Sequence, residues 1–183
     1  MIKTMFFAAA LCLGLAHAAC AETDPGSFAG KYCAGTGGVV QTRVPTFNTN
    51  GGTPLPLAGP REFCAYTAKN GSSSIYALLT TLVTKQPTLA ALAYYAEVPY
   101  NSSGCNGSPG SCYCSQLGGT DLFGGINAAG GGWVDNADQI NPVLDACIFP
   151  DLSSIDSYGL FYHSANIIRG KNLAHVLRYK NPN

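Results

Sequence analysis

The chain has 183 residues, of which 46% are hydrophobic and 10% aromatic, so it can form one domain or two small ones. Charged residues make up only 11% of the chain and the formal net charge is zero. This balance excludes the basic footprint of a nucleic-acid-binding protein, so no nucleic-acid partner is expected.

The N-terminus has the pattern of a signal peptide. Lys3 precedes an apolar run over residues 5–16, and Ala16-His17-Ala18 fits the small-x-small rule of signal peptidase. A dozen apolar residues are too few for a permanent membrane-spanning helix. We therefore predict that residues 1–18 are a signal peptide and that the mature protein is secreted or periplasmic, with no transmembrane segment.

The first elements predicted in the mature chain are the two strands of a hairpin. Residues 22–35 are small and polar, which favours a loop. Val and Thr are frequent in residues 37–44, which predicts a strand that Pro45 ends. After a proline-rich loop, residues 62–67 are apolar enough to be the partner strand.

Two helices are predicted after this hairpin. Apolar residues at the spacing of one buried helical stripe predict the first helix over residues 75–83. They are Ile75, Leu78, Leu79, Leu82 and Val83. Thr88 is the predicted N-cap of a shorter helix through Ala96, and the predicted buried residues of this helix are Leu89, Leu92 and Ala96.

The second half of the chain predicts a similar succession of elements. Residues 143–149 favour a strand, and Ser153 with Asp156 three residues later is a capping signal for a helix. Three residues fall on one face of that helix: Ile155, Tyr158 and Tyr162. Asn172 is the predicted cap of the last helix.

The motifs of the second half repeat those of the first half in the same order. In both halves a Tyr-Cys pair precedes a Gly-Gly pair at the same interval, and a later cysteine and a Leu-Ala pair follow. Corresponding positions are 81, 83 and 84 residues apart, namely Tyr32 and Tyr113, Cys64 and Cys147, and Leu89 and Leu173. We interpret this pattern as a tandem duplication with small changes in loop length.

The predicted fold class is therefore α+β. Two tandem disulfide-stapled repeats span residues 22–99 and 105–183, and each consists of a β-hairpin followed by one or two short helices. If each repeat is self-sufficient, Cys33 pairs with Cys64 and Cys114 pairs with Cys147.

The remaining cysteines leave alternatives open. Cys105 and Cys112 flank a turn-rich segment and can close a small local loop. The alternative is a zinc site formed by these two residues with Cys114, although Cys112 and Cys114 are closer than zinc-binding pairs usually are and no histidine pair follows. Cys20 is left over, and its removal with the signal, its lipidation and its use as a free thiol in dimerisation all stay open.

The repeated pattern resembles a small bacterial exported domain of unknown function that is often labelled a hemolysin, in two tandem copies. The matching positions in the first copy are Pro25, Tyr32, Cys33, Gly37, Gly38, Cys64, Gly71 and Ser72. Those in the second copy are Pro109, Tyr113, Cys114, Gly118, Gly119, Cys147, Asp151 and Ser153. The resemblance implies an exported domain and implies no demonstrated activity.

The composition favours a binding function over a catalytic one. Ten tyrosines, eight phenylalanines and one tryptophan among many Asn, Ser and Gly residues are typical of surfaces that bind proteins or glycans. We therefore predict an exported, non-catalytic binding protein, such as an inhibitor or effector, with a protein or glycan ligand outside the cytoplasm. The candidate binding residues are Trp133, Asp135, Tyr158, Tyr162 and His163, with Trp133 as the best candidate for an exposed anchor.

The alternative function is a small secreted hydrolase that uses His163 and an acidic residue of segment 121–156. The sequence has no Gly-x-Ser-x-Gly motif and no phosphate-binding glycine loop followed by Lys-Ser/Thr, so we assign no catalytic residue. The acidic run that begins at Asp135 lacks the spacing of an EF-hand calcium loop. The sequence therefore predicts neither a metal nor a cofactor.

Overall fold

A computed structural model of the chain describes residues 27–121, 128–135 and 143–182. The predicted signal peptide and Cys20 lie outside the described residues. In the parts of the chain that are described, no helix combines the length and the apolar content needed to cross a membrane.

Within these ranges the chain has a mixed α+β fold. The α-helices are Phe28–Gly35 (α1), Leu79–Val83 (α2), Leu89–Ala96 (α3), Pro109–Gln116 (α4) and Ser157–Ser164 (α5). The strands are Val39–Phe47 (β1), Leu55–Pro56 (β2), Arg61–Thr67 (β3), Ser74–Leu78 (β4), Thr120–Asp121 (β5), Gly131–Val134 (β6), Ala146–Ile148 (β7) and Ser154–Asp156 (β8). A short 3-10 helix spans Leu173–His175.

The strands form one antiparallel sheet with the order β2-β1-β3-β4-β8-β7-β5. The predicted hairpin of β1 and β3 is confirmed, and Val40 lies opposite Cys64 in it. At the centre of the sheet β4 pairs with β8 through Ala77 and Ile155. Apart from β6, strands from the first half of the chain therefore lie on one side of the sheet and strands from the second half lie on the other.

The sheet curls back on itself through β6. This strand pairs with the C-terminal part of β1, where Trp133 lies opposite Pro45. Trp133 also pairs with Leu144, which lies two residues before β7. As a result, β6 connects β1 of the first half to the segment just before β7 of the second half.

The two faces of the sheet belong to two separate cores. Because side chains alternate along a strand, β3 directs Phe63 into a smaller core with Trp133, whereas Cys64 and Tyr66 enter a larger core under the helices. Burial of this apolar surface is the main favourable contribution to folding.

All three predicted disulfides are confirmed. They are Cys33–Cys64, Cys105–Cys112 and Cys114–Cys147. The zinc alternative is therefore wrong, because its three sulfur atoms are all in disulfides. Chain entropy predicts a stabilisation of about 3 to 4 kcal/mol for each of the two long bridges and about 2.5 kcal/mol for the short one. Three disulfides are consistent with an oxidising environment.

Residues 28–35 are helical, although the sequence predicted a loop there. Ser27 caps α1 by accepting a hydrogen bond from the Gly30 amide at 3.1 Å. Glycines weaken the local signal for a helix. Tertiary structure supplies the missing stability, because Cys33 is fully buried and bonded to β3.

The predicted helix over residues 75–83 is mostly wrong. Ser74–Leu78 is a strand paired with β3, and only Leu79–Val83 is helical. A short apolar run fits either structure, and the free edge of β3 decides in favour of the strand. Pro45 also does not end β1, because an extended strand tolerates the fixed φ of proline. The Pro45 carbonyl accepts a hydrogen bond from Leu57 N at 2.8 Å.

Helix α3 has the predicted Thr88 cap but presents a different face to the core. Leu89 and Leu92, which were expected to be buried, are 42% and 40% exposed, and Ala90, Ala91 and Tyr94 are buried instead. The turn before β8 sets this rotation, because Asp151 accepts from Leu89 N at 2.8 Å and Ser153 accepts from Ala90 N at 2.9 Å. Small alanines then allow the helix to approach the sheet closely.

The last two predicted helices are corrected in part. Ile155 lies in β8 and is not on a helix, and Asp156 is the N-cap of α5. The Asn172 cap is confirmed, since its side chain accepts from Ala174 N at 2.9 Å, but it begins only a 3-10 turn.

Candidate binding groove

An open groove of about 520 Å³ lies between the turn before β4, helix α5 and the chain that follows this helix. Its lining residues are Ser72, Ser73, Tyr158, Tyr162, Ile167, Ile168 and Arg169. Residues from both halves of the chain therefore contribute to this surface, which we call the tyrosine groove.

Asp156 fixes the position of α5 at the edge of the groove. One carboxylate oxygen accepts from Gly159 N at 2.7 Å and the other accepts from Tyr76 N of β4 at 3.1 Å. Burial raises the pKa of Asp156 to about 6, although these hydrogen bonds and the nearby Arg169 favour the charged form. The carboxylate thus holds the start of α5 against the centre of the sheet.

Gly159 allows α5 to lie close to β4. A Cβ atom at this position would lie 2.6 Å from Ile75 Cγ1, which is too close for any side chain. With this face of the helix against the sheet, Tyr158 and Tyr162 project one helical turn apart into the groove.

The two tyrosine rings form an ordered aromatic surface. Their centroids are 6.4 Å apart and their planes are inclined by 29°. The ring of Tyr158 also packs on the backbone of α4, because a Cβ atom at Gly110 would lie 3.1 Å from Tyr158 Cδ2. Side chains held in this way lose little conformational freedom when a ligand binds.

Among the described residues that line the tyrosine groove, Arg169 alone is charged. Its Cζ atom lies 5.4 Å from the centroid of the Tyr162 ring, within the range of a cation–π contact. No Asp or Glu oxygen of the described residues lies within 4.0 Å of its guanidinium group. The guanidinium can therefore bind a carboxylate of a ligand.

The segment that carries Arg169 is fixed at both ends. Ile167 N donates to Tyr162 O at 2.9 Å, and Gly170 N donates to Ser73 Oγ at 3.3 Å. Between these points Ile167 and Ile168 are 51% and 45% exposed. The groove thus combines an aromatic surface, exposed aliphatic side chains and one cation.

The predicted binding residues lie at different places in the structure. Tyr158 and Tyr162 come together in the groove, whereas Trp133 is not the exposed anchor that the glycine-rich context suggested. Trp133 is only 5% exposed and packs edge-on against Phe63, with 5.3 Å between ring centroids. Its backbone pairs with β1, so its indole enters the smaller core. Asp135 is exposed at the end of β6.

His163 lies at the end of α5 but lines neither the tyrosine groove nor the second groove described below. Its ring stacks on Tyr94, with centroids 3.8 Å apart and planes inclined by 7°. Its Nε2 atom lies 3.1 Å from Glu97 Oε1. The acid that contacts His163 is therefore Glu97, which lies outside the segment expected to supply it.

The surroundings of His163 favour the neutral imidazole. Burial lowers the pKa of His163, and the Glu97 carboxylate and the backbone of Tyr94 oppose this shift. Nδ1 is buried and makes no hydrogen bond within the described residues. Tyr94 is itself held by its hydroxyl group, which accepts from Leu173 N at 3.0 Å. Burial raises the pKa of Tyr94 to about 12.

A second open groove, of about 490 Å³, surrounds the Cys105–Cys112 disulfide. Asn101, Ser103 and Gln116 provide polar side chains at its wall. In the described ranges, no group of three His, Cys, Asp or Glu residues is arranged to hold a metal ion.

Sequence reasoning missed Ser73, Ile167, Ile168 and Arg169. A usable signal existed, because the adjacent Ile167 and Ile168 follow a polar stretch outside any predicted helix. However, nothing in the sequence shows that a turn some 90 residues earlier lies beside them. Comparison of the chain with family models, curated proteins and solved structures finds no match.

Proposed function

We propose that this chain is an exported, non-catalytic binding protein whose tyrosine groove docks an extended segment of a protein partner carrying a carboxylate. The observation that carries the proposal is the placement of Tyr158, Tyr162 and Arg169 together in one open groove, beside two exposed isoleucines.

The residue types of the groove are those that dominate protein–protein binding. Tyr and Arg are enriched in interfaces and among the residues that cost most when they are truncated to alanine. Arg169 can form two parallel hydrogen bonds with one carboxylate, and its contact with the Tyr162 ring orders it before binding. A partner with an acidic side chain or a free C-terminus would satisfy this cation.

The exposed aliphatic surface favours a polypeptide over a glycan. Ile167 and Ile168 offer no hydrogen-bond partner to sugar hydroxyl groups, whereas an apolar side chain next to the carboxylate would bury them. A volume of about 520 Å³ is within the range of ordinary ligand sites. The groove would therefore receive one or two anchor residues of a larger interface.

The surroundings of His163 give less support to the hydrolase alternative. A general base needs access to substrate, and neither His163 nor Glu97 lines either of the two grooves described above. The three disulfides support action in an oxidising compartment, and we propose secretion or a periplasmic location.

We also propose that the two halves of the chain are copies of one ancestral unit, the exported domain that the sequence resembles. The support comes from matched strand register. Cys64 lies opposite Val40 and Ala77, and Cys147 lies opposite Asp121 and Ile155. Ala77 and Ile155 then pair with each other at the centre of the sheet, as two-fold symmetry between the copies would require.

The two tyrosines of the groove would belong to only one copy under this proposal. Leu78 and Asp156 are the N-cap residues of α2 and α5, so Thr80 and Thr84 are the counterparts of Tyr158 and Tyr162. Helix α5 is also three residues longer than α2. The second copy would thus have acquired these tyrosines after duplication, and Ser72 and Ser73 of the first copy complete the groove.

The test is a selection of phage-displayed random peptides on the purified protein. Enriched peptides should share an Asp, a Glu or a free C-terminal carboxylate next to an apolar residue. Arg169→Ala should weaken the binding of these peptides by about 30-fold, which corresponds to about 2 kcal/mol. Lys85→Ala removes the same charge from an exposed loop outside the groove and should leave the affinity unchanged.

Two results would contradict the proposal. Enriched peptides without an acidic group, or peptides that bind the Arg169→Ala variant equally well, would show that the groove does not recognise a carboxylate. A glycan that binds the wild type and not this variant would assign the groove to sugars.

A further inference from the structure

The three disulfides differ in their access to solvent. The four cysteines of the two long bridges are each 0% exposed. Cys105 and Cys112 are only partly buried, and both line the second groove. A reagent in solution can therefore reach this one bond without any opening of the core.

The surroundings of the exposed bond suit an incoming thiolate. The groove has a volume of about 490 Å³, and the described residues that line it are uncharged. Asn101, Ser103 and Gln116 supply polar groups there, and none of these lining residues carries a carboxylate that would repel an anion.

The bond is also not needed to hold its two ends together. Three hydrogen bonds attach the segment before Cys105 to helix α4 independently of the disulfide. Tyr113 Oη donates to Val98 O at 2.6 Å, Gln116 Nε2 donates to Pro99 O at 2.8 Å, and Asn101 N donates to Gln116 Oε1 at 2.9 Å. Cleavage of the bond would therefore leave the segment in place, so the reaction can be local and reversible.

We propose that Cys105–Cys112 is a thiol–disulfide exchange site that reacts with a thiolate while the other two bridges stay oxidised. The thiolate bonds to Cys105 Sγ, the bond between the two sulfur atoms breaks, and its electron pair remains on Cys112 as a thiolate. A second thiolate then attacks the mixed disulfide and releases Cys105. The protein disulfide gains two electrons, and two thiols become one disulfide.

The position of Cys112 makes it the better leaving group. It is the fourth residue of α4, whereas Cys105 lies in an irregular segment outside any helix. The dipole at the start of a helix favours a thiolate in its first turn. Attack at Cys105 therefore leaves the more stable anion behind.

The exchange site is separate from the tyrosine groove, because the two grooves share no lining residue.

The experiment equilibrates the native protein with glutathione at graded ratios of reduced to oxidised form, followed by alkylation, intact mass and peptide mapping. Two adducts, on Cys105 and Cys112, should appear at a ratio at least 10-fold lower than that which opens the other bridges, with an unchanged circular dichroism spectrum. Simultaneous appearance of four or six adducts, or opening of a long bridge first, would overturn the proposal.

Single variants test which sulfur leaves. Cys105→Ser leaves a Cys112 thiol, and Cys112→Ser leaves a Cys105 thiol, so the two variants are matched controls for each other. The Cys112 thiol should titrate at the lower pH when its alkylation rate is followed against pH. Equal titration, or a lower value for Cys105, would show that the assignment of the leaving group is wrong.

Discussion

Two glycines at corresponding places in the two halves should be irreplaceable for the same reason. A Cβ atom at Gly38 would lie 2.9 Å from Cys33 Sγ and closer still to Cys64 Sγ. A Cβ atom at Gly119 would meet Cys114 and Cys147 in the same way, with Cys114 Sγ at 2.9 Å. Real Cβ atoms do not approach sulfur so closely, and a disulfide buried on all sides cannot move aside.

We therefore expect Gly38→Ala and Gly119→Ala each to lower the free energy of unfolding by about 3 kcal/mol, at the upper end of the cost of overpacking. For a protein of this size such a loss lowers Tm by roughly 6 to 12 °C. Thermal and urea unfolding with the disulfides intact would measure both quantities.

The matched control is Gly35→Ala at the end of α1. No atom of the described residues lies within 4 Å of a Cβ atom built there, and alanine favours the helix, so this variant should be unchanged or more stable by up to about 1 kcal/mol. If Gly38→Ala and Gly119→Ala behave like the control, the close approach of backbone to disulfide does not constrain these positions. If only one of them destabilises, the two halves are not equivalent at this point.

Three further predictions concern polar side chains. Burial and then the neighbouring Asp121 raise the pKa of Asp145 to about 6, so the folded carboxyl group binds a proton more tightly than the unfolded one and stability falls as pH rises from about 4 to 6. Asp145→Asn should accordingly be more stable than wild type by about 1 kcal/mol at pH 7, discounted for solvent screening, and as stable as wild type near pH 3. Urea unfolding measures this difference in stability, and the same difference at both pH values would contradict the prediction. Glu97→Gln should lower the pKa of His163 further, because the carboxylate favours the charged imidazole; an unchanged NMR titration of the ring would show that the pair is not coupled in solution. Tyr94→Phe should cost about 1 to 3 kcal/mol in urea unfolding, because it leaves the Leu173 amide without its hydroxyl partner, and a neutral result would mean that water replaces the hydroxyl.

The sequence alone was sufficient for the two long disulfides. Cys33, Cys64, Cys114 and Cys147 stand at nearly the same separation in two similar runs of residues, so pairing within each run followed from the repeated pattern. The Thr88 and Asn172 caps were also readable, because a capping side chain acts on amides only two or three residues away. Interactions of this kind are local, and local interactions leave a local pattern.

Tertiary structure decided the elements whose pattern was ambiguous. Ile75 and Leu78 fit a helical stripe, but the unpaired edge of β3 makes them part of a strand. Trp133 lies among glycines, which suggested an exposed loop, yet its backbone pairs with Pro45 and Leu144 and its ring is buried. In both cases hydrogen bonds to another strand outweigh local preference. For Ile75 and Leu78 that strand is the neighbouring β3, and for Trp133 it is the distant β1.

Some residues of the tyrosine groove could be predicted from the sequence, and others could be found only from the tertiary structure. Tyr158 and Tyr162 could be named from the sequence because their spacing places them on one face of a helix. Ser73 and Arg169 could not, because a hydrogen bond from Gly170 to Ser73 joins segments almost a hundred residues apart. The sequence thus determined which residues could bind, and the packing of α5 on the curled sheet determined which of them form one surface.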